Sequence, residues 1–304
     1  MRQLIILFIA GCLLGSCSEP QQKPKHPKKF KMVEVPTALS SQKERVEFVI
    51  QNYWKSYNFA DTTLIQRQEF TEQAFADFIQ ILFNITPEQA RVAIDKQMQS
   101  AIIASQEMFD HFCSLYQKYL YDPNSPMRNE ELYMVYLQSI LSNPLVETTM
   151  KIRPEYQLEM ALKNRKSTKT ADFNFTDSHK HKNSLYNSLK ERTILFFNNP
   201  DCHNCAQVKQ QMASSIIIEQ LSTQGRLQIV SIYVDEDMGP WFRQADQVPV
   251  TWINGYTKGT GVQMSTVYDL RAIPTLYLLD GQGIVLLKDA PFEQIEAFLD
   301  QENS

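Results

Sequence analysis

Two periodicities divide the chain. From about Gln42 to Arg165, apolar side chains fall at helical spacing. Val46, Phe48, Val49, Tyr53 and Trp54 form one set, and Phe75, Phe78, Ile79 and Leu82 another. Thr86-Pro87-Glu88-Gln89 reads as a helix start: threonine caps, proline suits the first turn, and Gln89 completes a capping box. The pattern predicts one long helix from there toward Leu120, broken by Asp122-Pro123-Asn124-Ser125-Pro126. Asn129-Glu130-Glu131 opens another helix, which carries Leu132, Val135, Tyr136 and Ile140, and Pro144 and Pro154 punctuate the stretch up to Arg165.

Beyond Ala171 the apolar residues run in short blocks instead. Asp172–Phe175 reads as a short strand and Lys180–Asn183 as a polar turn. Thr193–Phe197 is continuously apolar, as in a strand buried on both faces. After Cys202-His203-Asn204-Cys205 a helix runs from Ala206 to Ile218, and Leu227–Asp235 is the next strand. Trp241-Phe242 begins a short helix or loop, and Arg271–Thr275 leads into the strand Leu276–Leu279. Asp280-Gly281-Gln282-Gly283 then turns the chain into Ile284–Leu287, and Pro291–Leu299 closes as an amphipathic helix. Gly255, Gly259 and Gly261, with Asn254-Gly255 as a turn signal, read as a surface loop that Trp252 and Tyr256 pack.

The start of the chain reads as an address. One positive residue, Arg2, precedes the apolar run Leu4–Leu14, and Leu14-Gly15-Ser16-Cys17 comes next. That ending resembles a bacterial lipobox, which implies a signal peptide over residues 1–16 and a lipidated Cys17; Ile9-Ala10-Gly11-Cys12 is a shorter rival. Residues 17–40, rich in lysine and proline, read as an extended tether between a membrane anchor and the folded part. The expected location is the cell envelope, facing the periplasm or the surface, and Ser18 favours the outer membrane. A chain of 304 residues has room for two further domains, set at 41–167 (all-helical) and 168–304. A net charge of −4 gives no footing to a nucleic-acid partner.

Five cysteines are too few for a disulfide framework in a chain this long. Cys113, near His111, reads as a small packed hydrophobe. Cys202 and Cys205 are different. Cys202 falls at a helix start, where free backbone N–H groups favour a thiolate, and Cys205 lies one turn on along the same face. Cys202 can attack a disulfide and Cys205 can resolve the intermediate. An imidazolium on His203 would support the thiolate, and Asp201 would oppose it. Two other readings stay open: a structural disulfide, and a zinc site completed by His179 and His181.

The order of strand, Cys-x-x-Cys helix, strand, helix, Ile273-Pro274-Thr275 strand, hairpin and helix resembles the thioredoxin fold over about residues 168–302. Asp172-Phe173 and the long stretch between Cys205 and Pro274 resemble its exported TlpA/ResA-like branch. The resemblance implies an α/β domain with a mixed central sheet flanked by helices, behind an all-α domain. It implies an extracytoplasmic thiol–disulfide oxidoreductase, on the reductase side, with a redox-active Cys202–Cys205 disulfide and no other cofactor or metal. Protein thiols and disulfides would be its clients, and a membrane donor would supply its electrons. Pro274 would be the cis-proline beside the pair, and Ile273 would offer backbone to the client. The buried acid of thioredoxin is replaced by Phe196, and the glutamate of many exported relatives by Val208. A redox-idle binding scaffold is the alternative. The run Asp122–Tyr133 resembles a helical domain of unknown function that precedes thioredoxin-like modules in lipoproteins of Gram-negative bacteria; it would cover roughly residues 40–165 and implies no activity.

Overall fold

The change of period near Ala171 is a change of architecture in the computed structural model, which describes residues 30–257, 264 and 266–303. Cys12, Cys17, the expected signal segment, most of the expected tether, Gly259 and Gly261 lie outside the described residues.

The first half contains α1 (Gln42–Asn52), α2 (Gln68–Leu82), α3 (Pro87–Ala104), α4 (Gln106–Tyr116), α5 (Glu130–Ser142) and α6 (Thr148–Ala161). The capping box at Thr86 forms: Thr86 Oγ1 accepts from Gln89 N at 3.3 Å, and Gln89 Oε1 accepts from Thr86 N at 3.1 Å. The single helix expected from Pro87 to Leu120 does not. Ser105 is extended, and its hydroxyl accepts the Met108 amide at 3.1 Å, so one helix stops and another starts there. Aromatic rings fill the core. Phe75, Phe78, Phe112 and Tyr116 are all fully buried, and Tyr116 stacks on Tyr136 with ring centroids 4.2 Å apart. The end of the expected tether is also tied down: Phe30 packs on Tyr53 and Trp54, and Ser56 donates to the Lys31 carbonyl at 2.8 Å.

The second half is one seven-stranded sheet, in the order β2-β1-β5-β4-β3-β6-β7. Its strands are β1 (Asn174–Asp177), β2 (Lys182–Ser184), β3 (Arg192–Asn198), β4 (Leu227–Tyr233), β5 (Ile253–Tyr256), β6 (Thr275–Asp280) and β7 (Val285–Lys288). The sheet is mixed: β3 runs parallel to β4 and antiparallel to β6. Both faces of β3 are covered, which explains its unbroken apolar run. Ile194 and Phe196 face one core with Leu276 and Leu278; Leu195 and Phe197 face the other with Tyr277 and Leu279.

Three local expectations are corrected. The helix after the cysteine pair ends at Ser215, whose hydroxyl accepts the Ile218 amide and donates to Glu296, giving α7 (His203–Ser214) and α8 (Ile216–Thr223). The polar turn before β3 is shorter than expected. The Asp177 carboxylate takes the amides of His179 and His181 at 2.9 and 2.8 Å, and Lys182 is already in β2. Gly255 is not in a loop: it lies within β5, paired with Ile232 and Asp177. A Cβ there would stand 2.5 Å from the Phe175 ring, so the glycine makes room for that ring rather than for a turn. The remaining helices are α9 (Met238–Gln244) and α10 (Phe292–Asn303).

Ion pairs join the halves. Arg128 meets Asp289 at 3.0 Å, and Lys288 meets Glu130 at 2.8 Å. Arg271 lies over the Tyr121 ring, 4.1 Å from its centroid.

Candidate active site

β3 ends at Asn198, at the C-terminal end of a central strand, and Asn199 turns the chain. The Asn199 carbonyl accepts the Cys202 amide at 3.0 Å, and its side chain accepts the Asp201 amide at 2.9 Å. Cys202 then caps α7, its backbone extended and its sulfur accepting the Cys205 N–H at 3.2 Å. A sulfur in this position meets the unpaired amides of a first helical turn, and negative charge on it would strengthen that bond.

The two cysteines differ in surroundings. Cys202 is half-buried, while Cys205 is only 3% exposed, in the core with Phe196 and Met212. Burial pushes the Cys205 thiol well above its ordinary value, and its hydrogen bond to Cys202 adds to the shift. Among the described residues neither is in a disulfide. The Ile273–Pro274 peptide bond is cis, and the Ile273 carbonyl lies 3.7 Å from Cys202 Sγ. Cys202, Cys205, Ile273 and Pro274 are therefore together. Thr275 Oγ1 closes the turn by donating to the Ala272 carbonyl at 2.6 Å.

His203 is exposed at the first position of α7. Asp201 is adjacent in sequence but tied to α9, with Arg243 at 3.3 Å and Gln244 at 3.2 Å. Nothing in the sequence pattern pointed to these two partners. Phe196 sits beside Cys205 in the core, and Val208 is half-buried on the wall of a cleft. A small cavity behind Cys205 is lined by Asn198, Lys209, Trp241 and Asn254, and Trp241 Nε1 is buried with no partner among the described residues.

The cleft is the larger feature, about 640 Å³. One wall is Asn204, Val208, Ile273, Pro274 and Phe292; the other is Pro123–Pro126 and Arg128 from the helical half. In the sequence the Pro-Asn-Ser-Pro run reads as a helix breaker and as part of the resemblance to a helical domain of unknown function, not as the wall of a site.

Other chemistry-bearing residues stand apart. Cys113 is in the helical half, its thiol pushed up to about 12 by burial. His179 and His181 stack on the β1–β2 turn, and β5 and β4 separate β1 from β3. Among the described residues, no group of three or more His, Cys, Asp or Glu is placed to hold a metal ion.

A crystal structure of a thioredoxin-like protein from Bacteroides caccae ATCC 43185 is similar to nearly the whole chain. Identity is 39%, the match covers 90% of this chain and 98% of that one, and the TM-score is 0.81. The chain belongs to the thioredoxin-like proteins. Within this thioredoxin-like protein, residues 180–303 match the Thioredoxin-like domain family, and residues 14–164 match a domain of unknown function, DUF5106. The C-terminal domain of an uncharacterized protein from Bacteroides fragilis NCTC 9343 is 40% identical, covering 45% of this chain and 98% of that one, with a TM-score of 0.44. A domain of a possible thiol-disulfide isomerase from Cytophaga hutchinsonii ATCC 33406 is 22% identical, covering 47% and 95%, with a TM-score of 0.40. No curated protein matches the chain.

Proposed function

We propose that this thioredoxin-like protein exchanges thiols and disulfides with protein clients outside the cytoplasm, as a reductase. One observation carries the reading: Cys202 is reachable at the cap of α7, Cys205 is buried one turn behind it, and cis Pro274 stands alongside. The Cys202 thiolate attacks one sulfur of a client disulfide. That S–S bond breaks, a Cys202–client disulfide forms, and the released client sulfur takes a proton from water. Cys205 then loses its proton and attacks Cys202 Sγ. The mixed disulfide breaks, the second client sulfur leaves as a thiol, and the Cys202–Cys205 disulfide forms. The client gains two electrons and the pair loses two. A dithiol donor at the membrane restores the pair, and no cofactor beyond this disulfide enters the cycle. His203 and Asp201 tune the pair from its rim.

The finer kinship, with the exported TlpA/ResA-like branch, rests on Asp172-Phe173 and on the long stretch between Cys205 and Pro274. Attachment to the envelope is proposed through a lipid on Cys17, supported by the pattern of Met1–Cys17. Labelling with a palmitate analogue tests it: the signal is lost in Cys17→Ala and kept in Cys12→Ala. Among the described residues, no helix is long and apolar enough to cross a membrane.

Insulin reduction with dithiothreitol tests the exchange. The full chain accelerates it, and Cys202→Ala abolishes the acceleration. Equal rates for the two proteins would mean that the fold is a redox-idle scaffold.

A further inference from the structure

We infer that Arg271 is a positioning residue through which the helical half sets the redox poise of the cysteine pair: it anchors the turn that holds the Ile273 carbonyl on Cys202. The inference rests on the exchange reading above and gives the helical half a part in it.

The turn depends on side chains. Thr275, the first residue of β6, is paired with Phe197, and the ladder stops there. Among the described residues the main chain of 271–274 makes no hydrogen bond to other main chain. At one end Thr275 Oγ1 donates to the Ala272 carbonyl, and the Ile273 side chain packs on the core around Cys205. At the other end Arg271 reaches into the helical half. Its Nη1 donates to the Tyr121 carbonyl at 3.3 Å, its guanidinium lies over the Tyr121 ring, and its Nη2 stands 3.9 Å from a Glu130 carboxylate oxygen. Asp269 at 3.0 Å and Asp289 at 3.5 Å complete the surroundings from the thioredoxin-like half. A planar fork can serve several partners at once in a way that an ammonium cannot. The Arg271 side chain is only 17% exposed, and stacking of a cation on a ring strengthens as water is removed. Tyr121 is firm in turn, because its ring stacks on that of Tyr133 with centroids 4.6 Å apart.

The far side of the turn meets the chemistry. The Cys202 thiol donates to the Ile273 carbonyl across 3.7 Å. A carbonyl oxygen only accepts, so it bonds the thiol of the reduced pair and finds no proton on a sulfur in a disulfide. The bond belongs to the dithiol state and favours it. At the low end of net hydrogen-bond strengths, it shifts the balance about threefold. Releasing Arg271 frees the carbonyl to move off the sulfur and returns that advantage to the disulfide.

The test equilibrates the full chain with reduced and oxidised glutathione and reads the ratio of dithiol to disulfide by acid quench, alkylation and mass spectrometry. The pair gives two electrons and two protons to oxidised glutathione, leaving the Cys202–Cys205 disulfide and two molecules of reduced glutathione. In one fixed mixture the ratio is expected to fall about threefold in Arg271→Leu and in Tyr121→Ala. It falls no further in the double variant, since both act through one contact. Should Arg271→Leu fail to fold, Tyr121→Ala decides alone. Gly255→Ala disturbs β5, which β4 and β3 separate from β6, and is expected to leave the ratio unchanged. A second arm needs no redox chemistry. Trypsin cuts after arginine, and cleavage after Arg271 is expected to be about fivefold faster in Tyr121→Ala than in the unsubstituted chain, because the anchored side chain must first be released. An unchanged or raised ratio, a further fall in the double variant, an equal fall in Gly255→Ala, or unchanged cleavage overturns the inference. If the unsubstituted pair does not exchange with glutathione at all, the exchange reading fails and the effect on poise falls with it, while the trypsin arm still decides the anchor.

Discussion

Arg128 donates to both the carboxylate and the main-chain carbonyl of Asp289, at 3.0 and 2.5 Å, and so ties the loop after α4 in the helical half to the segment between β7 and α10. The same two residues line the cleft beside Pro274. The contact joins the helical half to the thioredoxin-like half.

Removing that contact has a measurable cost. Arg128→Ala leaves Asp289 largely but not fully buried, with Arg271 still facing it at 3.5 Å. A hydrogen bond to a charged group is worth about 1.5–3 kcal/mol, so a loss of about 2 kcal/mol is expected. Urea unfolding of the full chain measures it; a change within error would mean that the tie is superficial.

The pH dependence of Asp289 runs opposite to that of an exposed ion pair. Burial raises its carboxyl above the ordinary 3.8, against the pull of Arg128 and Arg271. A raised folded value means that this group's stabilising contribution is complete below the unfolded value and is lost as pH climbs through the folded one. Asp289→Asn cannot titrate. The stability of wild type relative to this variant is therefore expected to be higher at about pH 3.5 than at about pH 7. A difference that grows with pH would contradict the burial argument. Glu130, raised by burial in the same cluster, follows the same sign.

Gly255 is a packing position. A Cβ would press into the Phe175 ring at 2.5 Å and approach the Thr176 carbonyl at 3.1 Å. Overpacking of this kind costs about 1–3 kcal/mol, so Gly255→Ala should lower the midpoint of thermal unfolding. Phe175→Leu in the same background should recover part of the loss; no recovery would point to the backbone instead.

The thioredoxin half was legible because its signals are local. The apolar run of β3, the cysteine spacing and Ile273-Pro274-Thr275 each name their element. The breaks at Ser105 and Ser215 were not, because serine inside a helical pattern is compatible with either an exposed interior position or a cap. β5 was missed because Asn254-Gly255 signals a turn, and only the packing of Phe175 against Gly255 requires glycine in a strand. The second wall of the cleft could not be read at all. Pro123 and Pro274 are far apart in sequence, and the ion pairs that bring their segments together join residues with no common pattern.

The proposed exchange divides its labour between two sulfurs, Cys202 half-buried at the helix cap and Cys205 buried behind it. The most direct measurement quenches the reaction of the reduced full chain with a disulfide-bonded client in acid and maps the adduct by mass spectrometry. In Cys205→Ala the client is expected to accumulate on Cys202 as a mixed disulfide, and in Cys202→Ala no adduct forms. Capture of the client by Cys205 with Cys202 removed, at a rate like that of Cys202, would contradict the account.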